Sequence, residues 1–479
     1  MSSFEEHENG SEKKKAGFSE ILTPVSKQLN WRTSLVENTL TVYHQPCDTY
    51  FEEISPIQCK MEVRALLEGM SPSLVAAVTA AVLEEKDRLI DAELFNSTRR
   101  NCIGFLNGVF DLRTGKMRSY QPSDYILSPL PHSVPMEVSA KTEKWFLGVL
   151  ESWVGVDSGK WFADLLAYYL FVFPNPENLW SDFFGQGSNG KSVCLQLLSK
   201  ILGDEKCIGC DLQNLNRFSG DSFRNRWLVL GRDSSEFVSD KATSFIKTYT
   251  GDERLLIEKK GGASFDVTNP GKLIVSTNHL IKSKDRSYAW YRRLLPIHFP
   301  FSFKPDEAFK DALFLRIPEI IRCLLHRAYL YKHNRTSLLE SCPLPVKALR
   351  EETRKTNDRI MAFWESHFFR TIEEPNKEPR QEFWQTAVFD MDFKKMKEVY
   401  DIYAQWHCEE YGDLPIEPSL TSFGGQYGAF LSSPAGQYFE YKRMALGRLL
   451  ILKDEYKTKW SKEYGEFLQN QKTAQQDSW

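Results

Sequence analysis

Three features of the 479-residue chain predict an α/β fold with a parallel sheet covered by helices. Short apolar runs alternate with helical stretches between residues 179 and 300. Those runs are apolar continuously rather than at every second residue, the pattern of strands buried between two helical layers. A glycine-rich loop, "GQGSNGKS" (185–192), stands directly between one such run and an apolar helix.

The elements follow in order. Residues 1–20 lack periodicity and are expected to be disordered. Residues 21–145 form a mixed α/β and helical lead-in domain. In it, "SPSLVAAVTAAVLEEKDRLI" (71–90) has the Ser-Pro start of a helix, and Asn107-Gly108 and Thr114-Gly115 mark the turns of a small sheet. The pattern from about 140 to 173 is helical until Pro174 and Pro176 end it. Its apolar part, "WFADLLAYYLFVF" (161–173), is too short to span a bilayer and reads as a buried amphipathic helix. The α/β core covers 146–315. Strands are expected at 179–184, 226–231, 271–278 and within 292–303, and helices at 191–201 and 241–251. "LLIEKKGGASFDV" (255–267) reads as two strands about a Gly261-Gly262 turn. A helical extension covers 316–375, and "EEPNKEPRQEF" (373–383) reads as a charged linker. A small C-terminal domain occupies 385–455. The charged tail, 456–479, is expected to be a solvated helix or disordered.

Composition narrows the function classes. A net charge of −3 gives no global attraction to nucleic acid, so any such site is a local patch. Nine scattered cysteines, an odd count, suit reduced thiols in a cytosol. The single CxxC, Cys207 to Cys210, lacks the second pair that a zinc ribbon needs. The first fifteen residues are polar and charged, unlike a signal peptide, and the expected location is cytoplasmic, with no membrane partner.

Gly185, Gly190, Lys191 and Ser192 fit the spacing GxxxxGK[ST]. In such a loop the backbone N–H groups of Gln186, Gly187, Ser188, Asn189 and the following helix point at phosphate oxygens. Lys191 then reaches the β- and γ-phosphates of ATP, and Ser192 ligates Mg²⁺. Hydrolysis further needs a carboxylate beyond a neighbouring strand, and "GRDSSE" (231–236) offers Asp233 and Glu236. Asn278, ending "KLIVSTN", suits a γ-phosphate sensor; it also suits an ordinary strand-end turn. Arg292 and Arg293 precede an apolar strand, where one could act on a neighbouring subunit's nucleotide. Residues 241–300 hold eleven Lys/Arg against five Asp/Glu. Lys259 and Lys260 beside the glycine turn, with Phe265 on the returning strand, suit a hairpin that follows a phosphodiester backbone.

Together, "GQGSNGKS", a strand with a late glutamate, "KTYTGD", a basic hairpin, "KLIVSTN" and "YRRLLPIHF" resemble the superfamily 3 helicases, most closely the phage/plasmid primase family that includes the poxvirus primase-helicase. The lead-in "NGVFDLRTGKMRSYQPSDYI" is similar to that family's helical domain, and "VYDIYAQWHCEEYG" (399–412) resembles the start of its winged-helix module. The resemblance covers roughly 100–320. It implies an AAA+ ATPase closing as a ring, usually a hexamer, around single-stranded DNA. By position it makes Glu236 the better match to the acidic second motif, with Asp233 an extra acid, and Asn278 the sensor. Lys259 or Lys260 would grip DNA, and Arg292 or Arg293 would be the finger acting in trans. No primase-like carboxylate cluster precedes the core. The function expected is therefore an ATP-dependent replicative helicase of a phage, satellite or other mobile element, working in the cytoplasm of a bacterial host. Its C-terminal domain would meet origin duplex or a primase partner. A replication initiator that uses ATP as a switch is the alternative of a different class. A small-molecule phosphotransferase is a third, and it leaves the basic hairpin without a purpose.

Overall fold

Phe18, Ile21, Leu22 and Val25 recur at helical spacing and line helix α1 (Glu6–Gln28), where they pack with Trp31, Val42 and Val63. The computed structural model describes residues 6–476 except 37–38, 46–48, 92, 216–218, 224–225, 233–236, 252–253, 258–264, 269–270, 284, 286, 335, 373–379, 413–415, 417, 426–429, 432–435 and 446. The disorder expected over 1–20 is thus replaced by helix from Glu6 onward, because that apolar stripe reaches back into the segment. The chain divides into two units, residues 1–350 and 351–479.

In the first unit β1 (Trp31–Val36), β2 (Thr39–His44) and β3 (Glu52–Ile54) form an antiparallel sheet. Helices α2 (Pro56–Leu66) and α3 (Pro72–Leu83) start alike: Ser55 and Ser71 accept bonds from backbone N–H groups of the first turn, and proline takes the next position, where no N–H is needed. After α4 (Glu93–Arg99) come the antiparallel β4 (Cys102–Phe105), β5 (Gly108–Asp111) and β6 (Lys116–Arg118), the small sheet its turn residues predict. Gly155, at φ +92°, separates α5 (Ala140–Val154) from α6 (Val156–Phe171). Helix α6 is not amphipathic as expected: twelve of its sixteen residues are buried, so it is enclosed on nearly every side. Its Asp164 is partly exposed and pairs with the buried Arg327 at 2.6 Å.

The core sheet uses β7 (Trp180–Phe184), β8 (Cys207–Cys210), β9 (Leu228–Gly231), β13 and β15. Between them in the chain lie α7 (Lys191–Leu202), α8 (Gly220–Phe223), β10 (Phe237–Val238), α9 (Asp240–Thr250), β11 (Arg254–Ile257) and β12 (Phe265–Thr268). Strand β13 is Lys272–Thr277; β14 (Lys282–Ser283), α10 (Tyr288–Tyr291) and β15 (Leu294–His298) follow. The spatial order is β15-β7-β13-β9-β8, with every neighbouring pair parallel. Side chains alternate between two apolar layers. Phe183, Leu228, Leu230, Ile274, Leu295 and Ile297 face the layer holding α6 and α7, while Trp180, Val229, Leu273, Val275 and Leu294 face one with Phe245, Tyr249 and Trp290. Each strand therefore reads as continuously apolar. Helices α11 (Glu307–Leu315) and α12 (Ile317–Asn334) close the unit, and its boundary falls within α13 (Leu344–Asn357).

The second unit has an aromatic core around Trp364, Phe368, Tyr403 and Phe430; the Trp364 and Phe430 rings stack at 3.7 Å. It contains α14 (Arg359–Phe368), the antiparallel pair β16 (Phe369–Ile372) and β17 (Arg380–Phe383), α15 (Gln385–Asp390), α16 (Met396–Tyr411), α17 (Leu420–Gly425) and the hairpin β18 (Phe439–Met444) with β19 (Gly447–Leu452). A bridge from Lys395 to Leu449 ties the start of α16 to the hairpin. The expected linker at 373–383 ends in a paired strand; its residues 373–379 lie outside the described residues. Nor is the tail wholly solvated. Helix Ser461–Gln476 brings Tyr464 and Phe467 onto the aromatic core, and Tyr464 donates to Asp392 at 2.6 Å. Among the described residues no helix is long and apolar enough to cross a membrane, and no His/Cys/Asp/Glu cluster could hold a metal.

Candidate functional site

The glycine loop leaves the end of β7 and is tied to its neighbours by backbone. Gly185 N donates to Thr277 O at 3.3 Å, and Phe303 N donates to Ser188 O at 2.7 Å. Two of its glycines are required by space as well as by backbone angle. A Cβ at Gly185 (φ +152°) would fall 2.6 Å from Phe299 O, and one at Gly190 (φ +89°) would fall 2.8 Å from the Trp153 ring. Asn189 is buried, and its Nδ2 donates to Phe299 O at 3.2 Å, which pins the loop against the segment after β15. Helix α7 begins at Lys191 after Gly190, which has no side chain to cap it; Lys191 N donates to Asn189 Oδ1 at 3.5 Å, and the positive end of the helix favours an anion. Lys191 is buried and donates to Gly185 O, while Ser192 is exposed.

A cavity of about 640 Å³ opens at this point. Gly187 to Ser192, Ser276 and Asn278 line one side, and Phe303, Lys304, Asp306 and Lys310 the other. The sheet thus brings Lys191, Ser192 and Asn278 to one cavity, because β7 and β13 are adjacent and both end there. The wall from Phe303 to Lys310 was not legible as part of a site, since its apolar and charged residues carry no motif. Asp233 and Glu236 lie outside the described residues. They follow β9, which pairs with β13 on the side away from β7. Lys259 and Lys260 also lie outside the described residues, between β11 and β12, whose register pairs Ile257 with Phe265.

The two arginines separate. Strand β15 runs parallel to β7 with Leu294 opposite Trp180 and His298 opposite Phe184. Arg292 and Arg293 therefore sit at the start of the strands, about five residues, or roughly 17 Å, from the loop. Arg293 is buried: its Nη1 donates to Ala289 O at 2.8 Å, and its carbonyl accepts from Trp180 N at 2.9 Å. Arg292 is exposed. The basic character of 241–300 is likewise not all surface. Lys272 is fully buried at the start of β13, donates to the carbonyls of Val172 and Tyr169 that end α6, and lies 4.0 Å from the Phe173 ring centre. Burial holds its ammonium pKa well below the ordinary range. Lys247 is paired with Asp285 at 2.5 Å.

One buried acid was missed. Asp182 in β7 is fully buried; Thr277 Oγ1 donates to its Oδ1 at 2.6 Å, and Ile281 N donates to its Oδ2 at 3.3 Å. Burial pushes its carboxyl up to about 7, against the lowering effect of those two bonds and of Lys191. The signal was present: "WSDFF" is an apolar strand with one acid, three residues before the first glycine.

Comparison with known proteins gives limited likeness. Residues 183–293 match the model of a family of unknown function, DUF5906. The protein described as Putative helicase 184R of Invertebrate iridescent virus 6 is 24% identical over 250 residues, 45% of this chain. The match spans 24% of that relative's length. Among solved structures, apo forms of the NrS-1 C-terminal region superpose with TM-scores of 0.44 and 0.46 at 13% identity, covering 90% of this chain and 98% of theirs.

The raised Asp182 pKa has a definite sign. Between about 4 and 7 the folded protein keeps a proton that the unfolded chain has released, so this group's contribution to stability falls as pH rises through that window. Asp182→Asn has no such titration. Its stability relative to wild type should rise between pH 4 and pH 8, by up to roughly 4 kcal/mol. Denaturant unfolding of both proteins at several pH values checks this, and a pH-independent difference would contradict it.

Proposed function

We propose that the chain is an ATP-driven helicase of a viral or other mobile element, with a superfamily 3, AAA+ type of core that works as a ring, usually a hexamer, on single-stranded DNA. The observation that carries the reading is the shared cavity of the glycine loop and Asn278. The sheet order supports it. In chain order the five strands lie 5-1-4-3-2, with the loop after the first strand, Asn278 after the fourth and the acidic "GRDSSE" after the third. Ligands of open parallel sheets bind beyond the strand ends where the order reverses, and the loop and Asn278 leave two adjacent strands there. Similarity to a viral protein described as a helicase supports the direction of the proposal.

In this mechanism the loop amides from Gln186 to Gly190 and the first turn of α7 bind the phosphates of ATP. Lys191 moves from Gly185 O to the β/γ-phosphates, and its charge offsets theirs. Mg²⁺, held by Ser192 and Glu236, would neutralise charge that develops on the phosphates. Glu236, or Asp233, polarises the attacking water, and Asn278 orients it. Arg292 lies too far from its own loop to act there, and its exposure suits it to the neighbouring subunit's nucleotide across a head-to-tail interface. Lys259 and Lys260 would contact the strand in the pore.

A second role, binding of duplex at an origin, has an observation of its own. Helices α15, α16 and α17 followed by the β18–β19 hairpin, with the Lys395–Leu449 bridge, give the order of elements of a winged helix. Arg443 and Arg448 lie directly opposite each other on that hairpin, both exposed. Like charges in that register are destabilising, and among the described residues neither has an acidic partner. Such a pair suits a phosphate backbone.

Two expectations follow. Steady-state ATP hydrolysis should rise several-fold with single-stranded DNA at low salt; Lys191→Ala should abolish it, and Lys259→Ala with Lys260→Ala should remove the stimulation. Turnover indifferent to DNA would count against the helicase. Replacing Arg443 and Arg448 by alanine should weaken duplex binding about tenfold and reduce its salt slope by about two charges' worth. An unchanged binding isotherm at two salt concentrations would contradict that role.

A further inference from the structure

Asp182 has no evident structural necessity. The β7–β13 pairing is made by backbone, and an aliphatic side chain would suit the surrounding layer as its neighbours do. A buried carboxyl is costly unless its bonds are used, and both of its oxygens are engaged. Their partners are informative. Thr277 is the last residue of β13, and Ile281 is the residue just beyond the turn that follows. The turn enclosed between them is Asn278, His279 and Leu280. Asp182 therefore grips both ends of the segment that carries Asn278 into the cavity, from the strand that carries the glycine loop into the same cavity. A second link runs parallel to it, from Gly185 N to Thr277 O.

We propose that Asp182 is a positioning residue for ATP hydrolysis, fixing the Asn278 turn relative to the phosphate-binding loop. The inference rests on the reading of Asn278 as the residue that meets the γ-phosphate. Asp182 touches no nucleotide itself. With the clamp in place the turn that carries Asn278 keeps one position beside the loop, so water and γ-phosphate meet a preset group. Without it the turn loses the two bonds that hold its ends to β7, and nucleotide still binds because the loop and the α7 terminus remain in place.

The test uses the full chain and two conservative variants, Asp182→Asn and Thr277→Val. The asparagine keeps the shape but presents an N–H₂ group to one of two donors; the valine removes a single hydroxyl. Equilibrium binding of a fluorescent ATP analogue, steady-state turnover with single-stranded DNA, and thermal unfolding at pH 8 are measured for each. The expected result is analogue affinity within about twofold of wild type, kcat down about tenfold or more, and KM little changed. Adding either change to Asn278→Ala should lower kcat no further, because both act through the same group. Unaltered kcat in both variants would overturn the proposal, as would losses that multiply with Asn278→Ala or a loss of nucleotide binding matching the loss of kcat. If Asp182→Asn unfolds early, Thr277→Val decides alone by the same criteria. Failure of the underlying reading shows elsewhere: wild type without turnover, or Asn278→Ala with full turnover, removes the helicase mechanism and the clamp together. Failure of the clamp alone leaves Asn278→Ala impaired and the two variants normal.

Discussion

Strands Trp180–Phe184 and Lys272–Thr277 lie side by side and parallel, so the glycine loop and Asn278 emerge at one edge of the sheet about 5 Å apart. Everything proposed for the site depends on that adjacency. The strands are separated by nearly ninety residues of chain, and only the crossing of the sheet, from the first strand out to β8 and back through β9 to β13, brings them together. The same order places β15 on the other flank of β7, which sends Arg292 to the opposite end of the sheet from the loop. On the proposed mechanism a residue there is out of reach of its own chain's nucleotide and serves another subunit's.

Burial of ionisable groups is the second theme. Lys272 ends up inside because its ammonium satisfies carbonyls at the end of α6 and faces the Phe173 ring. Arg293 ends up inside because its long side chain reaches back to Ala289 O. Arg293 stands next to a position with a different fate. Arg292, one residue earlier, is in water. Asp182 is a buried acid that ties strand β7 to both ends of the turn after β13.

Much of the core was legible in the sequence because its signals are local. Continuous apolar runs marked β7, β9, β13 and β15, and glycine, lysine and serine at fixed spacing marked the loop. The strand order was not legible, since pairing is decided by contacts far apart in sequence. Counting charge over 241–300 overstated the surface patch, because composition cannot tell that Lys272 and Arg293 are enclosed or that Lys247 is paired. Disorder was expected of the first twenty residues because they show no periodicity by themselves; most of the apolar stripe of that helix, Ile21, Leu22 and Val25, lies beyond them. Proline and acid at 373–383 suggested a linker, although Arg380–Phe383 pairs with Phe369–Ile372. Asp182 was overlooked because a lone acid in a strand has no meaning until its partners are known.

The claim that each nucleotide site is completed by an exposed arginine of the next subunit is tested most directly by mixing. Lys191→Ala protein lacks its own phosphate-binding lysine but offers Arg292; Arg292→Ala protein has the reverse defect. Each alone should be inactive. In an equal mixture of exchanging subunits, about a quarter of the interfaces would pair an intact Lys191 with an intact Arg292, and turnover should return to about that fraction of wild type. A mixture as inactive as its parents, or Arg292→Ala protein that hydrolyses ATP normally by itself, would contradict the account.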